Sequence, residues 1–70
     1  MNKDILEGKW TQLKGNIKQQ WGRLTDDELD QINGRYEEFV GKIQERYGYS
    51  RDEAANEVDN FLNQTDNRTM

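Results

Sequence analysis

A repeated pattern of apolar residues constrains this fold more than any other feature of the sequence. In the first copy, steps of four, three, four and four residues separate Leu6, Trp10, Leu13, Ile17 and Trp21. The second copy repeats these steps 26 residues later with Ile32, Tyr36, Phe39, Ile43 and Tyr47. Because an α-helix turns once in about 3.6 residues, this spacing places the apolar side chains in one stripe. The sequence therefore predicts two amphipathic helices of the same kind.

Each long helix is followed by signals for a turn and a shorter helix. Gly22 and Gly48 stand just past the two stripes, where a glycine with positive φ can end a helix. The segments TDDE (25–28) and SRDE (50–53) have the form of capping boxes, in which a hydroxyl and a carboxylate bind each other's backbone amides. We therefore expect four helices, arranged as one helical hairpin over residues 4–33 and another over residues 35–62.

One such hairpin cannot bury its apolar stripe alone, whereas two hairpins that face each other can. The predicted fold is therefore all-α: four helices forming two helical hairpins packed crosswise, with an internal pseudo-repeat. Residues 1–62 are expected to form a single helical-bundle domain, followed by a frayed polar tail over residues 63–70. Most of the buried area is expected to come from aromatic side chains, namely Trp10, Trp21, Tyr36, Phe39, Tyr47 and Phe61.

The composition gives little support to catalysis. The chain has no cysteine and no histidine, which removes thiol chemistry, the commonest general base and the commonest transition-metal ligands. Its one serine, Ser50, is assigned to a helix cap. The acidic residues between positions 26 and 37 approach a calcium-loop register, but Gln31 occupies the position where that loop needs glycine. We expect no enzymatic activity, no catalytic residues, no metal and no cofactor.

Charge is unevenly distributed along the chain. Residues 1–23 carry a net charge of +3 and residues 24–70 a net charge of −7, which together give the −4 of the whole chain. Lys14 and Lys18, which flank the first apolar stripe, either pair with acidic residues of the same molecule or face an anionic partner. The acidic balance disfavours nucleic acid as a partner. A membrane is disfavoured because the second hairpin already covers the apolar face.

Two glycines lie in the middle of the predicted long helices, where each costs about 1 kcal/mol relative to alanine. Gly15 and Gly41 occupy the same place in the two copies, away from the apolar stripe. Either the helices tolerate them on the solvent side, or another backbone approaches there too closely for a Cβ. We favour the second interpretation, in which the backbone belongs to the other hairpin or to a partner. The candidate interaction surface is therefore Lys14, Lys18, Gly15 and Gly41.

No apolar run typical of a signal peptide or membrane span begins the chain, so a cytoplasmic location is expected. The sequence identifies no partner, although another protein or a second copy of the chain fits best.

Four segments of the sequence resemble the CsbD-like family of small bacterial stress proteins. They are the initial MNKD, the block GKWTQLKGNIKQQWG (8–22), LTDDEL (24–29) and VGKIQERYGY (40–49). The chain departs from the common family pattern at Asn33-Gly34-Arg35 and in having Phe61 where a tryptophan is frequent. The resemblance implies a cytoplasmic protein induced in general stress, with a bundle of two crossed helical hairpins and no established activity.

Three functions remain open at this point. The favoured one is a small, folded, non-enzymatic stress-response protein that acts by binding or protection. The first alternative is a hydrophilin-like protectant against desiccation or osmotic stress, largely disordered in dilute solution, which the mean hydropathy of −1.28 would fit. The second is a basic-helix adaptor for an anionic membrane or nucleic acid.

Overall fold

The structure of the protein is a computed structural model that describes the backbone of residues 3–68 and the side chains of residues 6–64. Over residues 3–68 the chain contains α-helices and no β-strand, which confirms the all-α prediction. The radius of gyration of 11.0 Å is close to the roughly 11 Å expected for a compact domain of this length. The helices are α1 (Lys3–Gly8), α2 (Trp10–Gln20), α3 (Asp26–Ile32), α4 (Tyr36–Tyr47) and α5 (Arg51–Arg68).

The prediction of a single first long helix is wrong, because the structure divides it into α1 and α2. Lys9, between them, has φ −108° and ψ 12° and lies outside the helical region. The break is confined to this residue, since the amide of Leu13 still donates to the carbonyl of Lys9 at 2.9 Å. The apolar stripe continues across it, with Leu6 and Trp10 both buried. Gly8, a poor helix former, stands beside the break.

The two glycines expected to end the long helices behave differently. Gly48 ends α4 with φ 71°, as predicted. Gly22 does not adopt a positive φ. α2 ends at Gln20, and Trp21 follows it as the C-cap residue with φ −126° and ψ 75°. The chain then turns through a hydrogen bond from the amide of Leu24 to the carbonyl of Trp21. The left-handed conformation appears instead at Asn33-Gly34, with φ values of 48° and 81°.

Both predicted capping boxes are present. The Oγ1 of Thr25 accepts from the amide of Glu28 at 3.1 Å, and the Glu28 carboxylate accepts from the amide of Thr25 at 3.0 Å. Ser50 and Glu53 exchange the same two bonds, at 3.2 and 3.1 Å, at the start of α5. These bonds satisfy amides that would otherwise lack partners at the helix N-termini. The starts of α3 and α5 are therefore set locally by sequence.

Aromatic rings connect α2, α4 and α5 at the centre of the core. The ring of Phe39 meets Trp10 and Trp21 edge-on, with centroid distances of 5.5 and 5.2 Å. Trp21 in turn meets Phe61 of α5 at 5.3 Å. The buried indole of Trp10 donates from Nε1 to the carbonyl of Leu29 at 2.9 Å, which joins α2 to α3. Four of the six predicted aromatic core residues thus lie in the core.

The other two, Tyr36 and Tyr47, are only partly buried and pack at the edge of the core. The hydroxyl of Tyr36 donates to Asp59 of α5 at 2.9 Å. Burial, followed by this carboxylate, raises the pKa of Tyr36 to about 12. The hydroxyl of Tyr47 accepts from the amide of Arg23, whose guanidinium carbon lies 5.4 Å from the Tyr47 ring centroid. Both tyrosines therefore serve as polar ties between elements.

α4 is the central helix, since it packs against α5, α3 and α1. α5 is longer than the apolar pattern predicts, because its backbone remains helical through Arg68, past the expected boundary at Leu62. Residues 69 and 70 of the predicted polar tail lie outside the described residues. The crosswise packing of two hairpins stays a prediction.

We expect Phe39→Leu to lower the free energy of unfolding by about 1–3 kcal/mol, because it removes two ring contacts worth about 0.5–1.5 kcal/mol each. Thermal or urea denaturation followed by circular dichroism would measure the change. The control is Ile43→Leu, a swap of similar volume on the same helix at a residue that is also fully buried. Equal losses in the two variants would contradict the central role of Phe39.

Candidate interaction surface

The two lysines of the predicted surface are paired with acidic residues of the same molecule. Lys14 forms an ion pair with Asp30 of α3, and Lys18 binds Asp26 at the start of the same helix, at 2.7 Å. The hydrogen bond and charge of Lys18 lower the pKa of Asp26. Pairs as exposed as these contribute little to stability. They do, however, support the interpretation in which the basic first segment is neutralised within the molecule.

Gly15 and Gly41 are both exposed, and a Cβ placed on either would meet no heavy atom within 4 Å. The expectation that the other hairpin approaches these glycines too closely for a side chain is therefore wrong. Each glycine lies on the side of its helix that faces away from the core, where no described part of the chain covers it. A close approach by a partner stays a prediction.

The structure does not bring all four residues of the predicted surface together. Lys14, Gly15 and Lys18 share α2, whereas Gly41 lies on α4. The buried apolar stripes of α2 and α4 meet at Phe39, so the two glycine faces are directed outward from the shared core. The candidate surface is thus two separate faces, which we call the Gly15 face (Lys14, Gly15 and Lys18) and the Gly41 face (the groove around Gly41).

The Gly41 face forms a shallow groove of about 330 Å³ on the outer side of α4. Its carboxylates distinguish it from the Gly15 face, which carries lysines. Glu37 is bound by Arg51 at 2.6 Å, and Lys42 lies 4.0 Å from Glu45. The described residues that line the groove are Glu37, Glu38, Gly41, Lys42 and Glu45.

Glu28 is the buried charged residue of the described chain, and sequence reasoning assigned it only a capping role. Glu28 is only 5% exposed. Its carboxylate also accepts a hydrogen bond from the guanidinium of Arg46 in α4, with an oxygen-to-nitrogen distance of 2.6 Å. The ammonium of Lys42 lies 3.9 Å away. The hydrogen bond from Arg46, followed by that from the Thr25 amide, lowers the pKa of Glu28. One carboxylate therefore both caps α3 and ties α3 to α4.

Gly34 is the second residue whose role the sequence did not reveal. A Cβ at this position would lie 2.6 Å from the Cα of Glu7 and 3.3 Å from the carbonyl oxygens of Leu6 and Glu7. The backbone of α1 thus packs directly on the turn between α3 and α4. The close backbone approach that we expected at Gly15 and Gly41 occurs here instead, at the turn glycine that matches Gly8 in the repeat.

Residues 6–64 lack the features of a metal site. Within them, acidic side chains do not come together in groups of three able to hold a metal ion. Among the described helices none has the length and apolar character needed to cross a bilayer.

Together these features define a small all-α domain with an internal repeat. An aromatic core and ion pairs hold its helices together. Comparison with known proteins identifies the family to which the chain belongs. The family model described as CsbD-like matches residues 4–56, and the chain belongs to the CsbD-like family. The resemblance drawn from its sequence motifs is confirmed.

Three relatives are similar to the chain over more than nine-tenths of their own length. The chain is 53% identical over 68 residues to the UPF0337 protein YjbJ of Escherichia coli O6:H1, covering 97% of this chain and 99% of the relative. A UPF0337 protein of Pseudomonas aeruginosa is 54% identical over 61 residues, covering 87% of this chain and 94% of the relative. One from Protochlamydia amoebophila is 49% identical over 61 residues, which cover 87% and 92%.

We expect Glu28→Gln to lower the free energy of unfolding at pH 7 by about 1–3 kcal/mol, the range for a lost hydrogen bond to a charged partner. Because the fold lowers the pKa of Glu28, the carboxylate stabilises the protein above its ordinary pKa of 4.5. That contribution is lost as the pH falls through the lowered value. Urea denaturation at pH 7 and near pH 3 should therefore show the difference from wild type closing in acid.

The matched control is Asp27→Asn, which removes a neighbouring but exposed carboxylate from the first turn of α3. Its effect at pH 7 should stay within about 0.5 kcal/mol, as expected for a solvated charge near a helix end. A difference between Glu28→Gln and wild type that is the same at both pH values would contradict the ionic role of Glu28.

We also expect Gly15→Ala and Gly41→Ala each to raise the free energy of unfolding by about 0.5–1 kcal/mol, because alanine favours the helix and its Cβ meets nothing. Thermal denaturation of the isolated protein would measure this. Gly48→Ala, at a φ of +71° with equally open space, should instead lower the stability by about 1 kcal/mol. A loss of stability at Gly15 or Gly41 would indicate a contact at these faces in solution.

Proposed function

We propose that this protein is a non-enzymatic stress-response protein of the bacterial cytoplasm that acts by binding or protecting other macromolecules. Membership in the CsbD-like family supports a role in general stress, in line with what the sequence motifs imply. The observation that carries the binding part is the pair of open glycine faces on α2 and α4. Each contains a glycine that weakens its own helix by about 1 kcal/mol and has no packing partner among the residues that the structure describes.

A stability cost without an internal compensation is typical of positions kept for function. Because Gly15 and Gly41 are exposed and have no side chain, a second molecule could approach the helix backbone at these two positions more closely than a side chain would permit. Another protein, or a second copy of this one, is the kind of partner that such a face favours. Catalysis has no part in this proposal, because no arrangement of the described polar groups suggests a reaction.

The alternative of a basic-helix adaptor receives less support from the geometry. Lys14 and Lys18 both engage aspartates of α3, so the positive charge of α2 is already partly compensated. A partner such as a membrane or nucleic acid would have to compete for these lysines. The hydrophilin-like alternative fits the mean hydropathy of −1.28. A thermal melt distinguishes it from the folded protein.

The test is a protection assay with a labile enzyme that loses activity on heating or drying. We expect the wild type to preserve more of this activity than an equal mass of an unrelated acidic protein of similar size. Gly15→Gln and Gly41→Gln should be at least as stable as wild type yet protect less, because a long side chain now covers each face. The control Asn56→Gln places the same side chain on an exposed site of α5.

Equal protection by the wild type and both glycine variants would eliminate the faces as the binding surface. Absence of protection by the wild type would contradict the protective role itself. Circular dichroism during a thermal melt separates the folded module from the hydrophilin-like alternative, since a cooperative transition is expected only of the former.

A further inference from the structure

α1 is joined to the rest of the fold in a way that separates it from α2–α5. It has six residues, which is too short for a helix to be stable in water by itself. Non-helical Lys9 divides it from α2. Immediately after that break, Trp10 is fixed by its hydrogen bond to Leu29 and its contact with Phe39. The chain thus changes at Lys9 from a short segment to an anchored one.

α1 packs against α4 and against the turn that precedes α4. Of its described side chains, Leu6 is fully buried, whereas Glu7 and Gly8 are exposed. The backbone of Leu6 and Glu7 lies directly on Gly34, where even a methyl group would clash. Glycine at position 34 therefore leaves room for α1, but it offers no side chain that could pack against α1.

The turn beneath α1 is closed by hydrogen bonds of its own, which do not involve α1. Asn33 and Gly34 are both left-handed, and the turn is closed by a hydrogen bond from the amide of Arg35 to the carbonyl of Ile32 at 2.9 Å. The guanidinium of Arg35 adds a bond to the carbonyl of Gln31 at 2.7 Å. None of the aromatic residues that join α2, α4 and α5 belongs to α1. The ring contacts of Trp10, Phe39, Trp21 and Phe61 would therefore remain after α1 leaves, although α4 would lose its packing against α1.

We propose that α1 is a releasable strap, which detaches as a unit from the Asn33-Gly34 turn by rotating about Lys9 while α2–α5 stay folded. Segments with few buried contacts open at a lower free energy than the whole domain. Release uncovers the apolar site occupied by Leu6, giving the protein an open state with more exposed apolar surface than the closed one. This inference goes beyond the proposed function, because the opening of α1 is independent of the partner and of the two glycine faces.

Selective labelling of single thiols tests the proposal, because the chain has no cysteine of its own. Leu6→Cys places a thiol under α1, and Ile17→Cys places one at an equally buried site of α2. With a thiol reagent under native conditions, we expect Leu6→Cys to react at least about tenfold faster than Ile17→Cys. Its rate should hardly depend on low concentrations of urea, as expected of a local opening, whereas that of Ile17→Cys should rise steadily. Equal rates with equal urea dependence would overturn the proposal.

Two glycine variants separate release of the strap from general destabilisation. Gly34→Ala and Gly48→Ala introduce the same methyl group at φ values of +81° and +71°, but only the first meets the backbone of α1. In the Leu6→Cys background, Gly34→Ala should accelerate labelling by a further factor of about ten, while Gly48→Ala leaves the rate nearly unchanged. Equal acceleration by both would overturn the proposal.

Limited digestion with trypsin tests the same proposal without introduced cysteines, and so it still applies if a cysteine variant does not fold. Trypsin under native conditions should cut the Lys9–Trp10 bond before the Lys14–Gly15 bond, because the first lies at the hinge and the second within α2. Gly34→Ala should accelerate the first cut selectively, and Gly48→Ala should not. Simultaneous cleavage of both bonds in wild type would show that α1 opens only with the whole molecule.

Discussion

The contact of Phe39 with two tryptophans is the interaction on which the other helix positions depend. Its ring lies edge-on to both Trp10 and Trp21, which stand at the two ends of α2. Because these contacts fix both ends of α2 against α4, the direction of one helix is set relative to the other. Trp21 extends the same set of rings to Phe61 of α5. In a chain that is only 31% hydrophobic, a few large rings must supply much of the buried area.

Polar ties then fix α3, which contributes no aromatic ring to this core. Glu28 holds α3 in two ways, since it closes the helix N-terminus with Thr25 and binds Arg46 of α4. Such a nearly buried carboxylate is costly unless its oxygens are all used, and here Lys42 lies near as a further cation. Trp10 adds a hydrogen bond from its indole to the last turn of α3. α3 thus combines these directional bonds with the burial of Leu29 and Ile32, whereas α2, α4 and α5 are joined by ring packing.

Local signals made the helices and their starts predictable, and the limits of such signals explain the errors. The capping boxes at Thr25 and Ser50 involve residues three apart, so a sequence pattern contains the whole motif. Gly34 contacts the backbone of Leu6 and Glu7, which lie 27 or more positions earlier in the sequence. The spacing of nearby residues therefore could not predict this contact. The sequence shows that Gly15 and Gly41 are unusual residues for the middle of a helix. Only the fold shows that both are exposed. The ion pair of Glu28 with Arg46 joins residues 18 positions apart and left no pattern beyond the cap.

The six glycines of this chain, placed at similar positions in the two repeats, have diverged in what they do. Gly48 supplies a left-handed helix end, and Gly34 supplies both a left-handed turn and room for α1. Gly15 and Gly41 have neither role, since each lies within a helix and a Cβ at either position would meet no described heavy atom within 4 Å. A repeat that arose only to build two halves of a core would gain stability from alanine at these two positions. Packing within the described core therefore gives no reason for glycine at either position, and for this reason the proposed binding surface is assigned to the outer faces of α2 and α4.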